Sequence, residues 1–160
     1  MNNVTLIGMP GSGKSTIGVI LAKALRYEFL DSDLLIQKQE KRKLSEIIAQ
    51  DGPERFKEIE NQVNADIRVT DTVIAPGGSV IYCEEAMEHL KSIGNIIYLK
   101  LSLESLSKRL GDLKGRGVLL KDGQTLKDLY EERVPLYEKY ADITIDEDGN
   151  VSKINLSGTQ

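Results

Sequence analysis

Short apolar runs and longer amphipathic stretches alternate along the chain. Val4-Thr5-Leu6-Ile7 is apolar and β-branched without polar alternation, the pattern of a strand buried on both faces. A Gly-rich turn follows. Over residues 14–26, Ile17, Ile20, Leu21, Ala24 and Leu25 then recur at helical spacing. Phe29-Leu30 reads as the end of a second short strand. Helical patterns cover residues 34–39, 44–49 and 53–68, the last opening on Pro53, which a first helical turn tolerates. Thr72-Val73-Ile74-Ala75 is another buried strand, closed by the breaker Pro76-Gly77-Gly78. The spacing predicts a helix over 84–92, a strand over 95–101 and a helix capped by Ser102 that reaches about Leu110. Thr125-Leu126-Lys127-Asp128 is a capping-box start to a long helix ending near Tyr140, with a kink expected at Pro135. Ile143-Thr144-Ile145 is the last predicted strand. Beyond Asp146 the chain is polar and aperiodic, and an unpacked tail is expected.

Alternation of this kind predicts an α/β fold: a three-layer sandwich with a mainly parallel central sheet flanked by helices. A length of 160 residues fits one domain. We place it at residues 1–146, with a polar C-terminal tail at 147–160. Residues 111–124 hold four glycines and Arg116 and form a candidate lid.

Composition narrows the function. Lys and Arg number 21 against 25 Asp and Glu, a net charge of −4 that argues against a dedicated nucleic-acid binder. The one cysteine, Cys83, rules out an intramolecular disulfide and favours the cytoplasm. No apolar run approaches the roughly 20 residues of a membrane helix, and Met1-Asn2-Asn3 lacks the basic start of a signal peptide. No nucleic-acid or membrane partner is expected, and the protein is expected to be a monomer acting on a small molecule.

The strongest chemical signal is Gly8-Met9-Pro10-Gly11-Ser12-Gly13-Lys14-Ser15, which matches G-x-x-x-x-G-K-[ST] and is extended by Thr16. A buried strand precedes it and an amphipathic helix follows, so backbone N–H groups and the positive helix end converge on a bound anion. Gly11, Ser12, Gly13, Lys14, Ser15 and Thr16 are therefore the expected ATP-binding residues. Lys14 supplies charge to the β- and γ-phosphates, and the Ser15 hydroxyl is a ligand for Mg²⁺. No Asn-Lys-x-Asp base-reading motif is present, which argues against a GTPase-like switch.

Phosphoryl transfer also needs a positioned acceptor and positive charge around the moving group. Asp31 and Asp33 lie two apart after a short strand, where extended chain would point both the same way. One could hold a metal and the other a substrate hydroxyl; an N-cap and a solvated turn is the alternative. Arg133, in Glu131-Glu132-Arg133, reads from its neighbours alone as a solvated or salt-bridged surface residue, and so does Lys57.

The order of these motifs resembles the shikimate kinase family of small P-loop kinases from Val4 to Ile145. After the phosphate loop come Asp31-Ser32-Asp33, Phe56-Lys57-Glu58-Ile59-Glu60, Pro76-Gly77-Gly78, Arg116, and Arg133-Val134-Pro135-Leu136-Tyr137. The resemblance implies a P-loop NTPase fold of the nucleoside-monophosphate-kinase type. It implies ATP and Mg²⁺, the metal near Ser15 and Asp31, and transfer of the γ-phosphoryl group to a hydroxyl of shikimate or a similar hydroxy acid. Catalysis then falls to Lys14, Asp33 and Arg116, adenine stacking to Arg109, and acceptor binding to Asp33, Lys57, Gly77, Gly78 and Arg133. Glu60 is expected to support a basic neighbour. Lys57 stands where the family has arginine, and an ammonium cannot make the planar two-point contact of a guanidinium. Pro76 replaces the first glycine of the turn and removes one N–H donor. A kinase of the same fold acting on a sugar acid or a nucleotide is one alternative. A nucleotide-binding regulatory protein that transfers nothing is the other.

Overall fold

The computed structural model describes residues 2–110, 123–148 and 154–155. Its centre is a six-stranded sheet in the order β2-β3-β1-β4-β5-β6, built from β1 (Asn3–Ile7), β2 (Glu28–Asp31), β3 (Thr72–Ala75), β4 (Gly94–Lys100), β5 (Ile143–Asp146) and β6 (Ile154–Asn155). The first five strands are mutually parallel and β6 pairs antiparallel with β5. The expected tail after Asp146 is thus corrected: Ile154–Asn155 adds an edge strand. Glu147 N–H also donates to Lys100 O at 2.9 Å, and the Asp148 carboxylate accepts from Ser102 N and Ser105 Oγ. A strand of two residues is too short to leave a periodic pattern.

Period-2 alternation sends neighbouring side chains to opposite faces. Leu6, Val73 and Leu99 join Ala22 of α1 (Lys14–Leu25) on one face. Ile7, Ile74 and Tyr98 pack on the other with Met87 and Leu90 of α5 (Glu84–Ile93), Leu106 of α6 (Leu103–Arg109), and Leu129 and Tyr137 of α7 (Leu126–Tyr140). Both faces are covered, which is why the strands read as continuous apolar runs. A second cluster of Ile36, Ile47, Phe56, Ile59 and Val63 joins α2 (Ser32–Glu40), α3 (Leu44–Asp51) and α4 (Pro53–Ala65). The predicted caps hold. Ser102 Oγ accepts from Ser105 N at 3.1 Å, and Thr125 and Asp128 form a reciprocal capping box.

Because β1, β2 and β3 run parallel, their carboxyl ends share one edge of the sheet. The phosphate loop, Asp31 and the Pro76-Gly77-Gly78 turn leave the strands there, at the crevice where α/β sheets bind ligands.

Candidate active site

The loop from Gly8 to Gly13 turns back on itself through Ser12 N–H, which donates to Met9 O at 3.1 Å, and enters α1 through Gly13. Gly11 and Gly13 have φ of 83° and 89°, the left-handed region that glycine occupies without strain. A side chain on Gly11 would also strike Leu110 at 2.9 Å. Lys14 is half-buried, and its Nζ donates to Gly8 O (2.8 Å) and Met9 O (3.0 Å), so the ammonium is stored beneath the loop it serves. Burial pushes its pKa down to about 8, with Asp33 acting in the opposite sense. Arg109, exposed at the end of α6, leans across the loop and donates to Gly11 O at 3.2 Å.

A cavity of about 280 Å³ opens beside the loop. Gly11, Gly13, Lys14, Ser15, Thr16, Asp31, Asp33, Phe56, Glu60, Gly77, Gly78 and Arg133 all line it. The aspartates do not sit as extended chain would place them. Asp31 ends β2 and caps α2, its Oδ1 accepting from Asp33 N (3.0 Å) and Leu34 N (3.2 Å), while Asp33 lies in the first turn of that helix. The capping role raised as the alternative is therefore realised, and both carboxylates still reach the cavity. Asp33 Oδ1 is buried with no hydrogen-bond partner among the described residues. Burial and the neighbouring Asp31 push its pKa up to about 6.

Glu60 lines the cavity close to Asp33. It is 1% exposed, accepts from Ser79 Oγ at 2.7 and 2.9 Å on its two oxygens, and burial pushes its pKa up to about 7. Gly77 and Gly78 pack tightly between these groups. A Cβ on Gly77 would lie 2.8 Å from Asp33 Oδ1 and 3.0 Å from Glu60 Oε2; one on Gly78 would lie 3.0 Å from Arg133 Nη1.

Arg133 departs most from its local sequence context. The surface position that its neighbours alone suggest is not realised: the residue is 2% exposed and lies within the buried stripe Leu129, Arg133, Tyr137 of α7. None of the salt bridges between described residues involves it. Its Cζ lies 5.5 Å from the centre of the Tyr82 ring, and its Nε has no hydrogen-bond partner among the described residues. Tyr137 OH in turn donates to Gly78 O at 2.7 Å.

The other expected site residues divide. Lys57 is exposed and lies outside this cavity, bordering a separate depression and sitting 5.9 Å from the centre of the Tyr82 ring. Arg116 and the lid up to residue 122 lie outside the described residues. Tyr82, Ser79 and Tyr137 escape sequence reasoning as site residues. Tyr137 left one signal, its i+4 spacing from Arg133.

The donor set suits the ligands of phosphoryl transfer. The glycine cradle and stored ammonium fit a polyphosphate. Ser15 and the Asp31 oxygen not used in capping fit Mg²⁺, which takes few protein ligands beside phosphate oxygens and water. No helix among the described residues is long and apolar enough to cross a membrane.

Comparison with known proteins agrees with this geometry. A family model described as shikimate kinase matches residues 10–157. A shikimate kinase of Clostridium botulinum is 40% identical over 144 residues, covering 87% of this chain and 84% of that protein. The solved structure of a shikimate kinase from Acinetobacter baumannii in complex with shikimate has a TM-score of 0.83 at 32% identity, over 94% of this chain and 86% of that one. A shikimate kinase from Aquifex aeolicus has a TM-score of 0.80 at 33% identity, over 92% and 88%. With the phosphate loop, the paired aspartates and the buried arginine in one cavity, the chain belongs to the shikimate kinase family.

Proposed function

We propose that the protein transfers the γ-phosphoryl group of ATP to a hydroxyl of shikimate, with the acceptor's carboxylate on Arg133 and its reacting hydroxyl on Asp33. One observation carries the placement: a buried guanidinium without an acidic partner among the described residues lines the same cavity as Lys14 and Asp33. A charge desolvated and left unneutralised in this way is costly unless a ligand of opposite sign completes it. A compact hydroxy acid can reach Arg133 with its carboxylate while its hydroxyl lies near the loop.

The residues then take distinct tasks. The loop amides and the positive end of α1 hold the phosphates. Lys14 moves from its carbonyl partners to the phosphate oxygens and neutralises charge there. Asp33, its pKa raised to about 6, remains charged at neutral pH yet is basic enough to accept the hydroxyl proton. Gly77 and Gly78 let the acceptor approach the wall, and Arg109 flanks the base. Mg²⁺ held at Ser15 and Asp31 would supply further charge neutralisation between the phosphates. The buried single cysteine suits a reducing compartment, and we place the protein in the cytoplasm.

The test is ADP formation from ATP and Mg²⁺ with shikimate, with a panel of sugar acids and nucleoside monophosphates, and with no acceptor. Release that depends on shikimate is expected. Release that depends on another acceptor, or on none, would overturn the assignment.

A further inference from the structure

We infer that Tyr82 is a positioning residue for the acceptor: it fixes the Arg133 guanidinium while leaving its charge free for the incoming carboxylate. The inference rests on the assignment of Arg133 to that carboxylate.

Tyr82 closes the 3₁₀ turn Gly78–Tyr82, immediately after the two wall glycines. Its ring centre lies 5.5 Å from Arg133 Cζ, and its hydroxyl donates to Glu132 Oε2 at 2.5 Å. A phenol has one proton. With that proton directed at Glu132, the phenol is anchored and turns its electron-rich ring to Arg133. Tyr137, one helical turn from Arg133, likewise commits its proton elsewhere, to Gly78 O. Arg133 thus lies beside two neutral aromatic side chains whose protons are committed elsewhere. A carboxylate in either place would hold the guanidinium equally well, but it would neutralise the charge and compete with the ligand. Glu132 offsets part of the burial cost through the phenol, whose hydrogen bond to a carboxylate is charge-assisted.

The same ring separates two cations by function. Arg133 lines the cavity, whereas Lys57 rests on the Tyr82 ring beside an outer depression of about 340 Å³ that also holds Glu54, Glu58, Glu84 and Glu85. Those glutamates line the same depression as Lys57, whereas the cavity wall presents the buried guanidinium of Arg133 to the acid.

The test compares wild type, Tyr82→Phe, Tyr82→Leu and Arg133→Lys. Steady-state constants are measured with shikimate, and calorimetric Kd values with shikimate and its neutral carboxamide. Tyr82→Phe removes the hydroxyl that anchors the ring to Glu132 and is expected to raise the shikimate KM and Kd about 3- to 10-fold. Tyr82→Leu also removes the ring and should raise them further. The KM for ATP and kcat should change less than about threefold, and carboxamide binding should be the same in wild type and both Tyr82 variants. Equal losses for shikimate and the carboxamide, a parallel rise in the ATP KM, or unchanged shikimate binding in Tyr82→Leu would each overturn the inference. Arg133→Lys reports separately: if it leaves shikimate binding intact, the carboxylate assignment itself is wrong. If it weakens binding while the Tyr82 variants do not, only the role of Tyr82 falls.

Discussion

Asp33 and Glu60 close on the same point of Gly77, their nearest oxygens 2.8 and 3.0 Å from where a Cβ would stand. The two carboxylates are therefore no more than about 6 Å apart, close enough for Asp33 to raise the proton affinity of Glu60. Gly77 has φ −63° and ψ 159°, which any residue adopts, so its replacement is a purely steric probe. Gly77→Ala should push Asp33 off the acceptor hydroxyl. We expect kcat/KM for shikimate to fall at least about tenfold and stability to drop by about 1–2 kcal/mol. Calorimetric ATP affinity should stay within about twofold. An unchanged kcat/KM would mean that Asp33 does not need its observed position.

Glu60 predicts a pH dependence of stability. Burial raises its pKa from the ordinary 4.5 to about 7. Between those values the folded protein keeps a proton that the unfolded chain has released, so stability falls as pH rises through this window and levels off above it. Glu60→Gln keeps an acceptor for Ser79 and cannot ionise. Urea unfolding at pH 5, 6, 7 and 8 should show the variant gaining on the wild type by up to about 3 kcal/mol at the upper end. Parallel curves for the two proteins would refute the buried proton.

What the sequence reveals follows from how locally each feature is encoded. β1 and β3 are legible because Leu6, Ile7, Val73 and Ile74 are all at most 1% exposed, which forces apolar runs. The phosphate loop is legible because its chemistry is contiguous. Arg133 is misread from its neighbours Glu131 and Glu132, although its spacing of four from both Leu129 and Tyr137 places it on the buried stripe of α7. Asp33 is misread as extended because the start of α2 depends on the Asp31 cap, and a cap depends on where the next two amides point. Tyr82 leaves no signal, since a 3₁₀ turn of five residues has no hydrophobic period and its partners Glu132 and Arg133 lie about fifty positions away.

Gly18 sets two helix effects against each other. In an exposed helix interior, Gly→Ala gains about 1 kcal/mol. Here a Cβ would lie 2.5 Å from Phe29 Cε1 and 3.4 Å from Leu6 Cδ1, where α1 packs on the sheet. Overpacking of that severity costs about 1–3 kcal/mol, so the clash should win. Gly18→Ala is expected to lower the stability measured by urea unfolding by about 1–2 kcal/mol, and a more stable variant would show that α1 can lift away without penalty.

Lys57 and Arg133 offer the sharpest contrast within the site. The family resemblance assigns both to the acceptor's carboxylate, whereas the structure buries Arg133 in the cavity wall and leaves Lys57 exposed outside it. A solvated ammonium contributes little to a contact it must leave its neighbours to make, and it cannot make the two-point contact of a guanidinium. Lys57→Ala and Lys57→Arg should therefore each change the shikimate KM by less than about threefold. Arg133→Ala removes the buried charge facing the acid and should raise it at least about 30-fold, the range for truncating one partner of a buried charge pair. If Lys57→Arg tightened shikimate binding tenfold, the ammonium would have to reach the acid in the loaded enzyme, which means that α4 or the Tyr82 turn moves when the acceptor enters.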